Sequence, residues 1–208
     1  MNFPIIDICG NTSTGTTTLT KTLCDTYGWK PIYSEDYFKN SPFFDLFFSE
    51  PHKWAFYNQT FFLIEYIESY RNAIKLNVDS LLCFDYSVYE LLIYSKAMKN
   101  IGYLNLSEYQ IVYRIFENLI LYLKAPDLII YIKADFSTIR DRIQKRNRHT
   151  EKQMSDEYLA SLQEEFETFI KEWDRSPIIT LCSDTQNFYD KNTIELIERN
   201  IKSFLFYT

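Results

Sequence analysis

Short apolar runs alternate with long stretches of helical period from one end of the chain to the other. Strands are expected at Pro4–Cys9, Ser80–Phe84, Leu128–Lys133 and Ile178–Cys182, with a shorter one near Pro31–Tyr33. These runs are continuously apolar rather than alternating in polarity, the pattern of parallel strands covered on both faces. Helices are expected near Thr16–Tyr27, Lys53–Leu76, Val88–Lys99, Ser107–Lys124, Ser137–Arg146, Asp156–Trp173 and Lys191–Phe204. Ser107 followed by Gln110 has the spacing of a capping box, and Ala125-Pro126-Asp127 marks a stop before the next strand. Strand and helix alternating throughout predict an α/β fold built on a parallel five-stranded sheet flanked by helices. With no repeat and no linker, one domain over residues 1–208 is expected.

Composition narrows the function classes. The chain has 28 acidic against 22 basic residues, a net charge of −6, which argues against a nucleic-acid partner, since such binding relies on a basic surface. No run approaches the roughly 20 apolar residues that cross a bilayer, so no membrane partner is expected. The N-terminal MNFPIIDICG lacks the basic segment of a signal peptide. Cys9, Cys24, Cys83 and Cys182 are widely spaced with no C-x-x-C pair, as expected of reduced thiols in a cytoplasmic protein.

Glycine is scarce, four in 208 residues, against a usual share of about 7%. Two of the four, Gly10 and Gly15, bracket the run Gly10-Asn11-Thr12-Ser13-Thr14-Gly15-Thr16-Thr17-Thr18 between an expected strand and an expected helix. This is the glycine spacing of a phosphate-binding loop, G-x-x-x-x-G-K-S/T. Backbone N–H groups of such a loop curl around phosphate oxygens, and the helix that follows presents its positive end. The lysine position holds Thr16. Thr17 retains the hydroxyl suited to Mg²⁺. Lys21, more than a turn further along, is expected to point away.

Reading onward, the chain resembles the deoxynucleoside kinase family, especially its bacterial deoxyadenosine/deoxyguanosine kinases. The resemblance runs from about Ile5 to Trp173 and rests on motifs in order: the loop itself, Tyr33-Ser34-Glu35, Asn40-Ser41-Pro42-Phe43 and the W-x-F-x-x-Q helix at Trp54 to Gln59. It continues through Phe84-Asp85-Tyr86-Ser87 where the family has D/E-R-S, Pro126 to Tyr131, and the Arg-rich lid from Arg142 to Glu151. It implies a phosphate-loop nucleoside-kinase fold and transfer of the γ-phosphoryl group of ATP, with Mg²⁺, to the 5′-hydroxyl of a deoxynucleoside. Residues 10–18 would cradle the triphosphate. Glu35 would be the general base, and Asp85 with Thr17 would hold the metal. Arg142, Arg146 and Arg148 would close over the phosphates, because the planar guanidinium binds phosphate oxygens two at a time. Gln59, Trp54 and Phe48 would line the nucleoside site, with Tyr86 near the reacting hydroxyl and Glu151 at the sugar 3′-hydroxyl. Family members commonly pair through long helices, so a homodimer, or a heterodimer with a related kinase, is implied, with Phe61–Tyr70 and Tyr109–Tyr122 as aromatic-rich candidates for the interface.

Taken alone, several of these residues have plainer readings. Glu35 reads as a surface acid, Asp85 as a helix-capping turn residue, Gln59 as a core amide and the lid arginines as a solvated face.

Five positions depart from the family. Thr16 replaces the loop lysine, Tyr86 the arginine of D-R-S, Phe48 a tyrosine at the 3′-hydroxyl, Leu91 an acidic base-site residue and Asn147 a lid glycine. Phosphoryl transfer is mostly positioning and charge stabilisation, and removing one such group costs ~10²–10³ in rate. The expectation is a diverged homologue whose kinase activity is weak or lost. A non-catalytic nucleoside- or nucleotide-binding partner subunit, and a kinase of another small molecule, are the competing readings.

Overall fold

The computed structural model describes residues 3–34, 40–75, 80–146, 148 and 151–205. Five strands form one sheet: β1 (Ile5–Cys9), β2 (Lys30–Ile32), β3 (Leu82–Phe84), β4 (Leu128–Lys133) and β5 (Ile178–Cys182). Their order is β2-β3-β1-β4-β5, and every pairing is parallel, with Asp7 opposite both Phe84 and Ile129.

The helices are α1 (Thr16–Tyr27), α2 (Phe44–Ser49), α3 (Pro51–Lys75), α4 (Glu90–Asn100), α5 (Leu106–Ile120), α6 (Phe136–Arg146), α7 (Asp156–Glu172) and α8 (Lys191–Leu205). They cover both faces of the sheet, which is why β1 and β4 are buried along almost their whole length. Along β4, Leu128, Ile130 and Ile132 pack with Leu19 and Leu23 of α1 and Ile194, Ile197 and Ile201 of α8. The intervening Ile129 and Tyr131 pack with Ile93 of α4 and Phe166 of α7. Each such isoleucine contributes about 1.5–3 kcal/mol by leaving water. Among the described residues no helix is long and apolar enough to cross a membrane. The four cysteines are free thiols.

Two local expectations are corrected. The capping box of α5 is not Ser107 with Gln110: the cap is Asn105, whose side chain accepts from Glu108 N–H at 3.0 Å while Glu108 Oε2 accepts from Asn105 N–H at 2.9 Å. Asparagine fills the cap as well as serine does, and the helix begins earlier because of it. The same helix stops at Ile120, short of Lys124, where the chain turns through Tyr122 N–H to Leu119 and Leu123 N–H to Ile120. Helix α2 was not expected. Its sequence FDLFFS is apolar without helical period, and at six residues it is too short for period to reveal.

Candidate active site

The site forms at the C-terminal ends of β1 and β3, where a parallel sheet opens a crevice. Gly10 follows β1 directly. A Cβ there would lie 2.4 Å from the Ile132 carbonyl oxygen and 2.6 Å from Thr14 Oγ1, so only glycine lets the loop run this close to β4. Ser13 (φ 63°) and Gly15 (φ 110°) take the left-handed region. The loop is held by its own bonds. Thr14 donates to the Asn11 carbonyl through N–H (3.2 Å) and hydroxyl (2.8 Å). Asn11 Nδ2 donates to Leu159 of α7 at 3.1 Å, and Asn11 Oδ1 accepts from Thr12 N–H at 2.8 Å. Helix α1 begins at Thr16 with no acidic residue in its first turn, leaving its first N–H groups and positive end for an anion. Lys21 is exposed on that helix.

Two spaces meet at this loop. The first is a cavity of 140 Å³, roughly ten times what a single water needs. Its walls are aromatic: Phe44, Phe47, Phe48, Phe62, Tyr66, Tyr86, Tyr94 and Tyr158. Polar groups share this wall: loop residues between Asn11 and Thr17, Asn58 and Gln59 on α3, Glu90 on α4, Asp85 after β3, and Arg146, Arg148 and Glu151. The second is an open groove of 660 Å³ between residues 13–18, Arg142, Lys145 and Arg146 of α6, and the turn Ser183 to Tyr189 after β5. Ser13, Thr16, Thr17 and Arg146 border both spaces.

The three arginines of the site are engaged with protein groups. Arg142 donates to the carbonyls of Ser13 (3.3 Å) and Thr14 (3.2 Å), to Ser183 Oγ (2.8 Å) and to the Ser183 carbonyl (2.8 Å). It therefore ties α6 and the turn after β5 to the loop. Arg148 and Arg146 lie 3.1 and 3.5 Å from Glu151 Oε1. Glu151 is 6% exposed, and its Oε2 is buried with no hydrogen-bond partner among the described residues.

Behind the loop lie buried acids. Asp7, in the middle of β1, is wholly buried, and burial pushes its carboxyl up to about 7, partly opposed by the Ser87 hydroxyl that donates to Oδ2 at 2.7 Å. Burial likewise pushes the Glu90 carboxyl well above the usual carboxylate range, against the N–H groups of Ser87 and Gly10 that it accepts. Tyr86 stacks on Tyr66 and faces Tyr94 at 6.1 Å.

Of the residues singled out from sequence, Gly10, Asn11, Thr12, Ser13, Thr16, Thr17, Phe48, Gln59, Asp85, Tyr86, Arg146, Arg148 and Glu151 border the cavity, as does Leu91. Thr14, Gly15, Thr18 and Arg142 border the groove. Glu35 and Asn147 lie outside the described residues. Trp54 is the exception: it is absent from the cavity wall and stacks on Phe43, with ring centroids 5.9 Å apart. Asn58, Tyr66, Glu90, Tyr94 and Tyr158 belong to the cavity and were not expected there. For Asn58 and Tyr66 the signal was present, since both fall on the buried stripe of α3 that carries Gln59.

Residues 6–205 match the family model for deoxynucleoside kinase. The chain is 28% identical over 205 residues to a deoxyadenosine/deoxycytidine kinase of Bacillus subtilis, covering 97% of this chain and 93% of that one. It is 27% identical to a deoxyguanosine kinase of the same organism, covering 97% of this chain and 98% of that one. A solved structure of deoxyadenosine kinase from M. mycoides with bound dATP superposes with a TM-score of 0.84 at 23% identity, over 96% of this chain and all of that one.

Proposed function

The chain belongs to the deoxynucleoside kinase family, and from that premise we propose that the aromatic cavity takes a deoxynucleoside and the groove a nucleoside triphosphate, with phosphoryl transfer between them weak or lost. The observation that carries this reading is the loop shared by both spaces. An acceptor in the cavity and a donor in the groove would meet at Ser13, Thr16 and Thr17, with the N-terminus of α1 beneath the phosphates.

The residues fit a triphosphate and its metal. The glycine-dependent approach of the loop backbone suits phosphate oxygens, and the Thr17 hydroxyl and Asp85 carboxylate are the oxygen donors that would hold Mg²⁺. When bound, that metal neutralises charge on the transferring phosphates. The M. mycoides kinase, whose structures carry dATP and dCTP, supports a triphosphate ligand. Glu35 is the proposed base for the 5′-hydroxyl proton. Glu151 Oε2, buried and lacking a donor, is the proposed acceptor for the sugar 3′-hydroxyl. The ring stack of Tyr66 and Tyr86 would wall off the nucleoside.

The reading of weak transfer rests on the two family positions that carry no cation here, although Lys145 and Arg146 border the groove. Thr16 and Tyr86 are neutral, Arg142 is bound to loop carbonyls and Ser183, and Arg146 and Arg148 face Glu151. Exposed Ile64 on α3 and Ile111 and Ile115 on α5 support pairing with a second copy or a related kinase through these helices.

Calorimetric titration with each deoxynucleoside and with ATP and Mg²⁺ tests the binding half of this reading. It expects at least one deoxynucleoside and the triphosphate to bind. Binding of neither contradicts it.

A further inference from the structure

Ser87 is held from three sides. Its hydroxyl donates to Asp7 Oδ2 of β1 at 2.7 Å, its carbonyl accepts from Glu90 N–H at 2.9 Å, and its own N–H donates to Glu90 Oε1 at 3.4 Å. The Glu90 carboxyl also accepts from the N–H of Gly10, where the phosphate loop leaves β1. Glu90 is the first residue of α4 and is 2% exposed. One buried side chain therefore bridges the exits of β1 and β3.

Asp85 lies between fixed points. Its N–H donates to the carbonyl of Ile32, the last residue of β2, at 2.9 Å, and two residues later Ser87 is held by Asp7 and Glu90. Asp85 shares the cavity wall with Gly10 and Glu90. A solvated acid would serve the start of a helix just as well, whereas burying a carboxyl is costly unless hydrogen bonds satisfy it. Here those bonds run to the two segments that carry the loop and Asp85, and a buried network of this kind rigidifies what it joins.

We infer that Glu90 is the positioning residue of the metal site: by holding the N–H groups of Gly10 and Ser87 together it fixes the Asp85 carboxylate against the phosphate loop. This rests on the reading of Asp85 and Thr17 as the oxygen donors for Mg²⁺. Glu90 ligates nothing itself. Partners that orient a metal ligand in this way contribute about 10–100-fold to metal affinity. The role needs an acceptor oxygen at the right reach rather than a charge. Glutamine keeps both the oxygen and the reach, methionine keeps the length without the oxygen, and aspartate is one methylene too short.

The test is calorimetric titration of ATP in Mg²⁺ and in EDTA, for wild type, Glu90→Gln, Glu90→Met, Glu90→Asp and Asp85→Asn. The ratio of the two affinities isolates the share that the metal contributes. In wild type and Glu90→Gln, Mg²⁺ should tighten ATP binding by about tenfold or more. Glu90→Met and Asp85→Asn should each lose most of that gain, and the two combined should lose no more than Asp85→Asn alone. If Glu90→Met does not fold, Glu90→Asp decides, since an acid in the first turn keeps the helix start. A gain that survives in the folded Met or Asp variant, or in Asp85→Asn, overturns the inference. A gain that Glu90→Gln loses as fully as Glu90→Met overturns it too. Wild type that binds ATP equally with and without Mg²⁺ overturns the inference and leaves triphosphate binding intact. No ATP binding under either condition overturns both.

Discussion

Tyr86 lies flat against Tyr66, with ring centroids 4.1 Å apart and planes 7° from parallel. That stack stands on the cavity wall, directly after Asp85, where the resemblance to the deoxynucleoside kinases places an arginine. Burial pushes the Tyr86 hydroxyl well above its usual range, so the residue stays neutral at physiological pH. The position thus supplies stacking surface in place of charge. Tyr86→Ala should open the cavity and weaken deoxynucleoside binding by roughly tenfold, given about 0.5–1.5 kcal/mol per aromatic pair beyond area burial, while triphosphate binding in the groove holds.

Asp7 makes stability depend on pH in a direction opposite to most carboxylates. Its pKa is raised from 3.8 to about 7 in the folded chain, so the native state binds the proton more tightly than the unfolded one. Its contribution is fully present below pH 4 and is lost as pH rises through 7. Asp7→Asn, which keeps an acceptor for the Ser87 hydroxyl, should raise the melting temperature more at pH 8 than at pH 5. Equal shifts at both would contradict the assignment. Glu90, raised by the same burial, adds in the same direction, so the double variant with Glu90→Gln should be flatter still.

Gly10→Ala places a methyl group 2.4 Å from a backbone oxygen of β4. Neither the strand nor the loop can yield cheaply there. Soluble variant protein should lose triphosphate binding by tenfold or more while keeping the far-ultraviolet dichroism of the α/β fold.

Glu151→Gln removes the anion that Arg146 and Arg148 face and weakens the acceptor at the buried Oε2. Wild type should bind a deoxynucleoside better than its 2′,3′-dideoxy counterpart by about fivefold or more, as one hydrogen bond to a charged group contributes about 1.5–3 kcal/mol at best. The variant should narrow that gap.

Asn105→Ala tests the corrected helix cap. Losing both bonds of the Asn105–Glu108 box should cost about 1 kcal/mol and lower the melting temperature by roughly 2–4 °C. Ser107→Ala should leave it unchanged.

The sheet was readable because β1 and β4 are buried on both faces and read as largely apolar runs, Asp7 apart, while β5 keeps that pattern around an exposed Thr180. The loop was readable because a backbone passing 2.4 Å from a would-be Cβ leaves only glycine at Gly10, and Gly15 sits at φ 110°. The capping box was misplaced by two residues because Ser107–Gln110 and Asn105–Glu108 satisfy the same spacing rule, and packing decides between them. Trp54 was placed in the nucleoside site by its match to the family's W-x-F-x-x-Q motif; its ring stacks on Phe43, a contact that local pattern does not reveal. Glu90 and Tyr94 reach the cavity only because α4 packs across the end of β1, a tertiary outcome with no local signature.

The loop keeps the glycine-dependent backbone of a phosphate site, with Thr16 in place of the lysine. The measurement that tests it is the rate of deoxynucleoside 5′-phosphorylation with ATP and Mg²⁺, for wild type and for the double variant Thr16→Lys, Tyr86→Arg. Wild-type turnover should be slow or undetectable, and the double variant should rise by about 10² or more, the scale of a restored transition-state contact. Robust wild-type turnover that the two substitutions leave unchanged would contradict it.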